Sequence, residues 1–484
     1  MLVTILVMPL VAGLLSWRSP LRLAQGLTVG AGLATFGLSL ALVPGAGSGA
    51  RAALGGYLRA DALSVVFLVA TSFLYAATAV FAVGYLRPPA GERQGLVYSR
   101  RLYAGLNLFS WALAVAPIVD GLALLWVAIE VTTVISALLV AIDDTDEAAE
   151  ASWKYVIIAS MGLGIALLAT IVVYYAGSTV LGASYQPSFE RLVAVAQRMP
   201  VDVVRLGFAL AVLGFGTKMG LFPVHTWLPD AHSEAPTPVS ALLSGSLLAV
   251  SFYAILRYYQ IAIRTLGPTF PRDVLLAFGL ASLGLAALYL LSQRDLKRLL
   301  AYSSIEHMGI LAVGMSFSAP IAVVGVLLHV LAHAAAKGTA FFGAGSVLRK
   351  LGTKDMSRIR GGIGLLPWSG PMLVLAVLAL SAAPPFGIFR SELMIVAGGL
   401  SGGRDGIAAA LVVLVTLAFL GLSLFASQTM LTPAPEGVVK GETSAWMVGA
   451  MVMGLVALVI LGIHLPHQLQ HLLSSAASEL GTPA

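Results

Sequence analysis

The feature that most constrains this chain is the recurrence of apolar runs about as long as a bilayer is thick. A helix rises about 1.5 Å per residue, so about 20 mostly apolar residues cross the hydrocarbon core. About fourteen segments qualify by that criterion, near 1–17, 23–43, 61–86, 102–119, 121–142, 153–175, 202–222, 237–261, 273–292, 297–316, 320–348, 366–400, 405–431 and 443–463. Only 10% of residues are charged, 58% are hydrophobic and mean hydropathy is +0.93, against roughly 25% charged in soluble chains. The expected fold is an all-α polytopic membrane protein. A net charge of +6 then orients helices and does not call for nucleic acid. The absence of cysteine excludes disulfides, thiolate metal sites and cysteine-ligated iron–sulfur clusters from this chain. No cofactor is expected. The opening MLVTILVMPLVAGLLSW has neither a basic n-region nor a cleavage site, and reads as a retained helix.

Lone charges inside these runs mark where chemistry is expected. Glu130 lies near the middle of 121–142, and Lys218 inside 203–222. A charge at the bilayer centre costs about 2.5–3.5 kcal/mol on insertion scales, so it is kept where it has a partner or a wet path. Glu130 and Lys218 are read as a proton-transfer pair; the alternative is a buried ion pair that only fixes packing. A third group is His329-Val-Leu-Ala-His333-Ala-Ala-Ala-Lys337. Positions i, i+4 and i+8 share a helical face, which makes the imidazoles and the ammonium a stripe able to pass protons. The i,i+4 histidines also match a metal pair, but no carboxylate stands near them in sequence, and no metal is expected.

Glu392 follows PPFGIFRS and is placed to exchange protons with water on one face, unless Arg390 pairs with it locally. Glu306 and His307 are adjacent and expected to diverge, one lining a path while the other anchors. His225 follows the Lys218 run closely enough to take a proton onward. Asp230, with His232 and Glu234, has the look of a metal cluster but is expected to cap the following helix. Asp143, Asp144, Asp146, Glu147 and Glu150 read as a solvated acidic turn before a helix at 153. Arg294, Asp295, Lys297 and Arg298 read as an interfacial cluster. No Rossmann fingerprint, P-loop or nucleophile elbow stands in a suitable context.

Two runs are interrupted, one after Lys218 at Gly220 and Pro223, the other at Pro384, Pro385 and Gly387. In a membrane such breaks persist only where protein or cavity water satisfies the freed backbone. WVAIEVTT and YSSIEHMG place Glu130 and Glu306 176 residues apart, while Lys218 and Glu392 are 174 apart. Five helices intervene, so the halves are expected to be inverted repeats. The expected division is 1–101 (N-terminal helices), 102–261 and 273–431 (the two five-helix units), and 432–484 (a C-terminal helix and tail). A short surface helix is expected in 188–198. Loops carrying Arg87, Arg93, Arg100 and Arg101, then Arg294, Lys297 and Arg298, then Arg349, Lys350, Lys354, Arg358 and Arg360 share one side. About 16 Lys/Arg fall there against about 8 opposite, which puts both termini outside the cytoplasm.

The strings TKMGLFPVHTWLPDAHSEAPTPVSALLSG, RDLKRLLAYSSIEHMG and HVLAHAAAKGTAFFGAGSVLRKLGTKDMSRIRGG resemble the antiporter-like family, over roughly 60–430. That family includes the large membrane subunits of complex I, Mrp cation/proton antiporter subunits and membrane-bound hydrogenase subunits. EVTT, EASWKYVIIASMG and SSIEHMG are most similar to component F of hydrogenase-4, a group 4 membrane-bound hydrogenase. The resemblance implies fourteen or so helices, two inverted five-helix units and a hydrophilic central axis. It gives Glu130 the place of the fifth-helix glutamate and Lys218 that of the lysine in the broken seventh. His329, His333 and Lys337 match the central relay, and Glu392 the ionisable residue of the broken twelfth helix. One departure stands out: where complex I subunits carry a lysine in the eighth helix, this chain has Ala249, leaving Ser244, Ser246, Ser251 and Tyr253. The implied function is proton translocation in a redox-driven assembly, with other membrane and peripheral subunits as partners, in a bacterial or archaeal cytoplasmic membrane. The alternatives are a sodium/proton antiporter module, a structural membrane anchor and a partner in inorganic-carbon uptake.

Overall fold

The computed structural model describes residues 1–86 and 93–481; Arg87, counted among the loop charges, lies outside them. The chain is a bundle of helices. It opens with α1 (Leu2–Ser16), α2 (Leu21–Leu40) and, after a hairpin pairing Arg51–Ala53 with Leu58–Ala60, α3 (Ala62–Tyr85). Next come α4 (Arg93–Val115), α5 (Leu122–Val140), α6 (Asp146–Leu181) and the short α7 (Phe189–Val195). After α8 (Val201–Met219) the chain breaks, resumes as α9 (Trp227–Glu234), and runs through α10 (Thr237–Leu242) and a π turn into α11 (Leu248–Leu266). There follow α12 (Thr269–Leu290), α13 (Leu296–Phe317), α14 (Pro320–Leu351) and α15 (Gly362–Leu365). A second broken pair, α16 (Ser369–Leu380) and α17 (Gly387–Ser401), precedes α18 (Asp405–Phe425), α19 (Ala445–Ile463) and α20 (His467–Glu479). Among the described residues, nine helical segments are long and apolar enough to cross a membrane.

Burial sorts these helices into centre and rim. The most apolar windows of α3, α10–α11 and α14 are 89%, 100% and 89% buried, against 28% for α18 and 33% for α19. The central helices carry buried ionisable side chains, Arg257 on α11 and His329, His333 and Lys337 on α14. A rim helix can face lipid with a uniformly apolar surface, whereas each polar group a central one leaves unpaired is costly.

Local chemistry sets the ends. The α3 N-terminus is capped by Asp61, which accepts from the Ser64 N–H at 2.9 Å. Asp295 caps α13, accepting from Lys297 and Arg298 N–H at 2.8 and 2.9 Å. The acidic stretch before residue 153 is not a turn throughout. Thr145 caps α6 by accepting from Ala148 N–H at 3.2 Å, and Asp146, Glu147 and Glu150 already lie in helix. Acids in a first turn complement the helix dipole, which lets the helix start earlier than its apolar run. Both expected breaks are present. Helix α8 ends at Gly220, whose φ of +84° suits glycine, and a Cβ there would collide with Leu228. The surface helix expected in 188–198 is α7 and the turn after it.

Candidate functional site

Lys218 stands on the last turn of α8, just before the break, and is wholly buried. Its ammonium donates to Thr133 Oγ1 at 2.9 Å and to the Tyr155 hydroxyl, with Nζ 4.4 Å from the Tyr155 ring centroid and 6.0 Å from that of Trp227. Among the described residues no carboxylate oxygen comes within 4.0 Å of it. The Glu130–Lys218 pair expected from sequence is therefore not a contact pair. Glu130 is half-buried one turn before Thr133 on α5 and accepts from Ser160 Oγ at 3.3 Å. Thr133 and Tyr155 take the contacts instead: Glu130 acts on Lys218 and on Tyr155 only through its field, while Tyr155 also hydrogen-bonds Ser136 Oγ at 2.7 Å. Tyr155 and Thr133 were missed in the sequence, since neutral hydroxyls in apolar runs are common and their convergence on Lys218 is tertiary.

The second cluster lies where α13, α14 and α17 meet. His307 Nδ1 is 3.1 Å from His329 Nε2, and His329 Nδ1 is 2.9 Å from Ser391 Oγ. Ser391 spends its own proton on the Ile388 carbonyl at 2.7 Å, so it must accept from His329 Nδ1–H. That fixes the His329 tautomer, makes His307 Nδ1–H the donor to His329 Nε2, and leaves His307 Nε2 as the open base. The His333 ring centroid is 5.2 Å from that of His307, and both its nitrogens are buried without a partner among the described residues. Gly325 permits this junction: a Cβ there would stand 2.9 Å from the Ser391 carbonyl oxygen.

Lys337, two turns past His329, is wholly buried and donates to the Leu300 carbonyl at 3.0 Å. Like Lys218, it has no carboxylate oxygen within 4.0 Å among the described residues, and Glu306 is the acid whose field reaches it. Both members of the Glu306–His307 pair thus act toward α14, where sequence had one of them anchoring elsewhere. Glu392 is buried, does not pair with Arg390, and has Oε1 without a partner among the described residues. It lines a cleft of about 480 Å³ with Ile310, Ser381, Phe389 and Leu411. It also comes close to His307 and His329, three potential ligand atoms lying within 4.8 Å of one another. A carboxylate does stand by these histidines, supplied by α17 and invisible along the sequence.

His232 occupies the ground between the clusters. It is wholly buried, its ring 6.5 Å from Trp227 and 5.6 Å from Phe341, with neither nitrogen partnered among the described residues. Sequence had grouped it with loop-capping residues. Ser244 meets Ser304 of α13 at 2.7 Å, whereas Tyr253 turns away to the Pro117 carbonyl at 3.0 Å. Asp230 is not a cap. It pairs with Arg298 and stands 3.8 Å from Lys154, and Glu234 pairs with Lys354 at 2.7 Å. Lys297 is buried and donates to the Ser233 and Ala235 carbonyls at the end of α9, where a cation suits the helix dipole. His225 lies in the α8–α9 break with its ring 5.9 Å from Phe222.

Residues 120–421 match the family described as NADH:quinone oxidoreductase/Mrp antiporter, TM. A hydrogenase-4 component F homolog of Methylacidiphilum infernorum is 36% identical over 357 residues, covering 72% of this chain and 73% of that protein. NADH-quinone oxidoreductase subunit N of Desulforudis audaxviator is 31% identical over 354 residues, covering 73% and 68%. A chain of respiratory complex I from Thermus thermophilus superposes at TM-score 0.84 with 23% identity, covering 99% of this chain and all of that one, a likeness of fold. With its apolar spans, broken helices and buried charges, the chain belongs to the NADH:quinone oxidoreductase/Mrp antiporter transmembrane family, as an antiporter-like multi-pass membrane protein.

Proposed function

We propose that this chain translocates protons as a subunit of a redox-driven hydrogenase-4 or complex I-like assembly in a prokaryotic cytoplasmic membrane, with both termini outside. The observation that carries this reading is the pair of buried lysines, Lys218 and Lys337, each held by neutral acceptors with a carboxylate near but out of contact. Such a charge is costly at depth, and its protonation can be switched by moving a neighbouring charge. In the proposed cycle an ionised Glu130 stabilises protonated Lys218 through the Thr133–Tyr155 layer. Charge movement in a neighbouring subunit weakens that field, and Lys218 releases its proton past His232 and the Ser244–Ser304 pair toward Lys337. His333, His307 and His329 carry it to Glu392, which opens to the cleft; His225 refills Lys218 from the other face. The scale is adequate: one charge crossing 100 mV is worth about 2.3 kcal/mol, and a nearby opposite charge is worth about one to three pKa units at 1.36 kcal/mol each. The two five-helix units, 102–261 and 273–431, are proposed to be inverted copies, each contributing a broken helix.

The test is proton uptake into vesicles carrying the parent complex during turnover. Glu130→Gln and Lys218→Ala should each abolish uptake while the complex still assembles. Uptake at the wild-type rate in both would end the proposal. Uptake that requires sodium would replace it with sodium/proton exchange, and an unimpaired redox rate with no uptake in the wild type would leave a membrane anchor.

A further inference from the structure

We propose that His307, His329 and Glu392, closed by His333, form a binding site for one borderline divalent transition cation of the zinc class. The three residues come from α13, α14 and α17, all are buried, and one donor atom from each lies within 4.8 Å of the others. Zinc binds imidazole nitrogen and carboxylate oxygen at about 2.0–2.2 Å in tetrahedral geometry, which sets neighbouring ligand atoms about 3.3 Å apart. The His307 Nδ1–His329 Nε2 separation is already 3.1 Å, so the ring pair needs reorientation more than translation. Among the described residues Glu392 Oε1 has no partner to give up, and His333 offers a nitrogen with none. His329 also has the outer partner that a ligating histidine needs: Nδ1–H donates to Ser391 Oγ at 2.9 Å, holding Nε2 toward the cluster.

The donor set selects the ion class. Imidazoles with one carboxylate suit zinc and its borderline neighbours, whereas magnesium and calcium take oxygen ligands in greater number. With no cysteine in the chain, histidine and carboxylate are the only strong ligands it offers. The ligands must shed their protons to bind, so the cation competes with protons and binds less tightly in acid. One consequence rests on the proposed function: a bound ion would occupy the lone pairs that the relay uses, and flux would stop.

A second pair, His467 and His471 on α20, is exposed and spaced i,i+4, so the measurement uses the full chain with both changed to glutamine. Cobalt(II) is titrated into this purified protein, followed by zinc. The expected result is one cobalt per chain with the intense visible bands of a tetrahedral site, displaced by zinc. Binding should weaken about tenfold or more in His329→Gln and Glu392→Gln, and weaken from pH 7.5 to 6.5. No saturable binding, or binding indifferent to both substitutions, overturns the site. Should either variant fail to fold, X-ray absorption at the zinc edge of the parent protein counts the ligands: two or three imidazoles with an oxygen support the assignment, and one or none refutes it. Zinc that binds this way without slowing vesicle proton uptake leaves the site standing and counts against the relay.

Discussion

Arg257 and Lys218 are both cations buried in this bundle, and their surroundings are opposite. Arg257, on α11, has every arm occupied: Nη2 donates to Asp61 at 2.6 Å and Ser64 at 3.0 Å, Nε to Tyr253 at 2.9 Å, and Nη1 to Gln260 at 3.0 Å. The C-terminal α20 joins in, as Glu479 accepts from the Ala62 and Leu63 N–H groups at 3.0 and 3.1 Å. Lys218 holds one threonine and one tyrosine hydroxyl, and Glu130 reaches it only through its field. A planar guanidinium with matched acceptors is a fixed pairing, and a compact ammonium on a flexible stem is a group that can change charge. The same interior therefore holds one cation in a closed pairing with an acid and another held by neutral hydroxyls, the group to which the proposed proton path assigns a change of charge.

That contrast can be broken by experiment. The largest effect expected is on conduction: Lys337→Ala should cut vesicle proton uptake by about a hundredfold, within the range for removing a positioned proton carrier, while changing stability little. Asp61→Asn should do the reverse, costing about 3–5 kcal/mol because it leaves a buried guanidinium without its counter-charge. Thermal unfolding in detergent reads the loss, and uptake per folded molecule should hold; equal damage to both quantities would erase the distinction. Tyr155→Phe removes one of the two hydroxyls that Lys218 donates to, and should slow uptake by about tenfold, below that range because Thr133 remains. An uptake rate unchanged in this variant would mean the field of Glu130 needs no hydroxyl bridge. Asp230→Asn touches only a partly exposed pair with Arg298 and should shift stability by less than about 1 kcal/mol. A large flux defect there would bring Asp230 back into the path.

Some of this was legible before any coordinates. The apolar runs named the all-helical class but not the number of spans, about fourteen being expected where nine helical segments among the described residues are long and apolar enough. Gly220 with Pro223 and Pro384–Pro385 named the breaks, because backbone groups freed in an apolar medium must be satisfied nearby. The stripe of His329, His333 and Lys337 could be read from period alone. The Asp61–Arg257 pair could not, since its partners are 196 residues apart and each taken singly is an acid or a base near the end of a run. The joining of Glu392 to His329 was equally hidden, with α17 returning to α14 through Ser391.

What the sequence determined by itself was therefore the class, the breaks and the identity of the buried charges, because hydropathy and period act over a single turn or span. Which charge meets which was decided only by tertiary packing. A side chain at depth chooses its partner from whatever neighbouring helices present, and that choice makes Arg257 a fastening and leaves Lys218 and Lys337 without a contacting acid among the described residues.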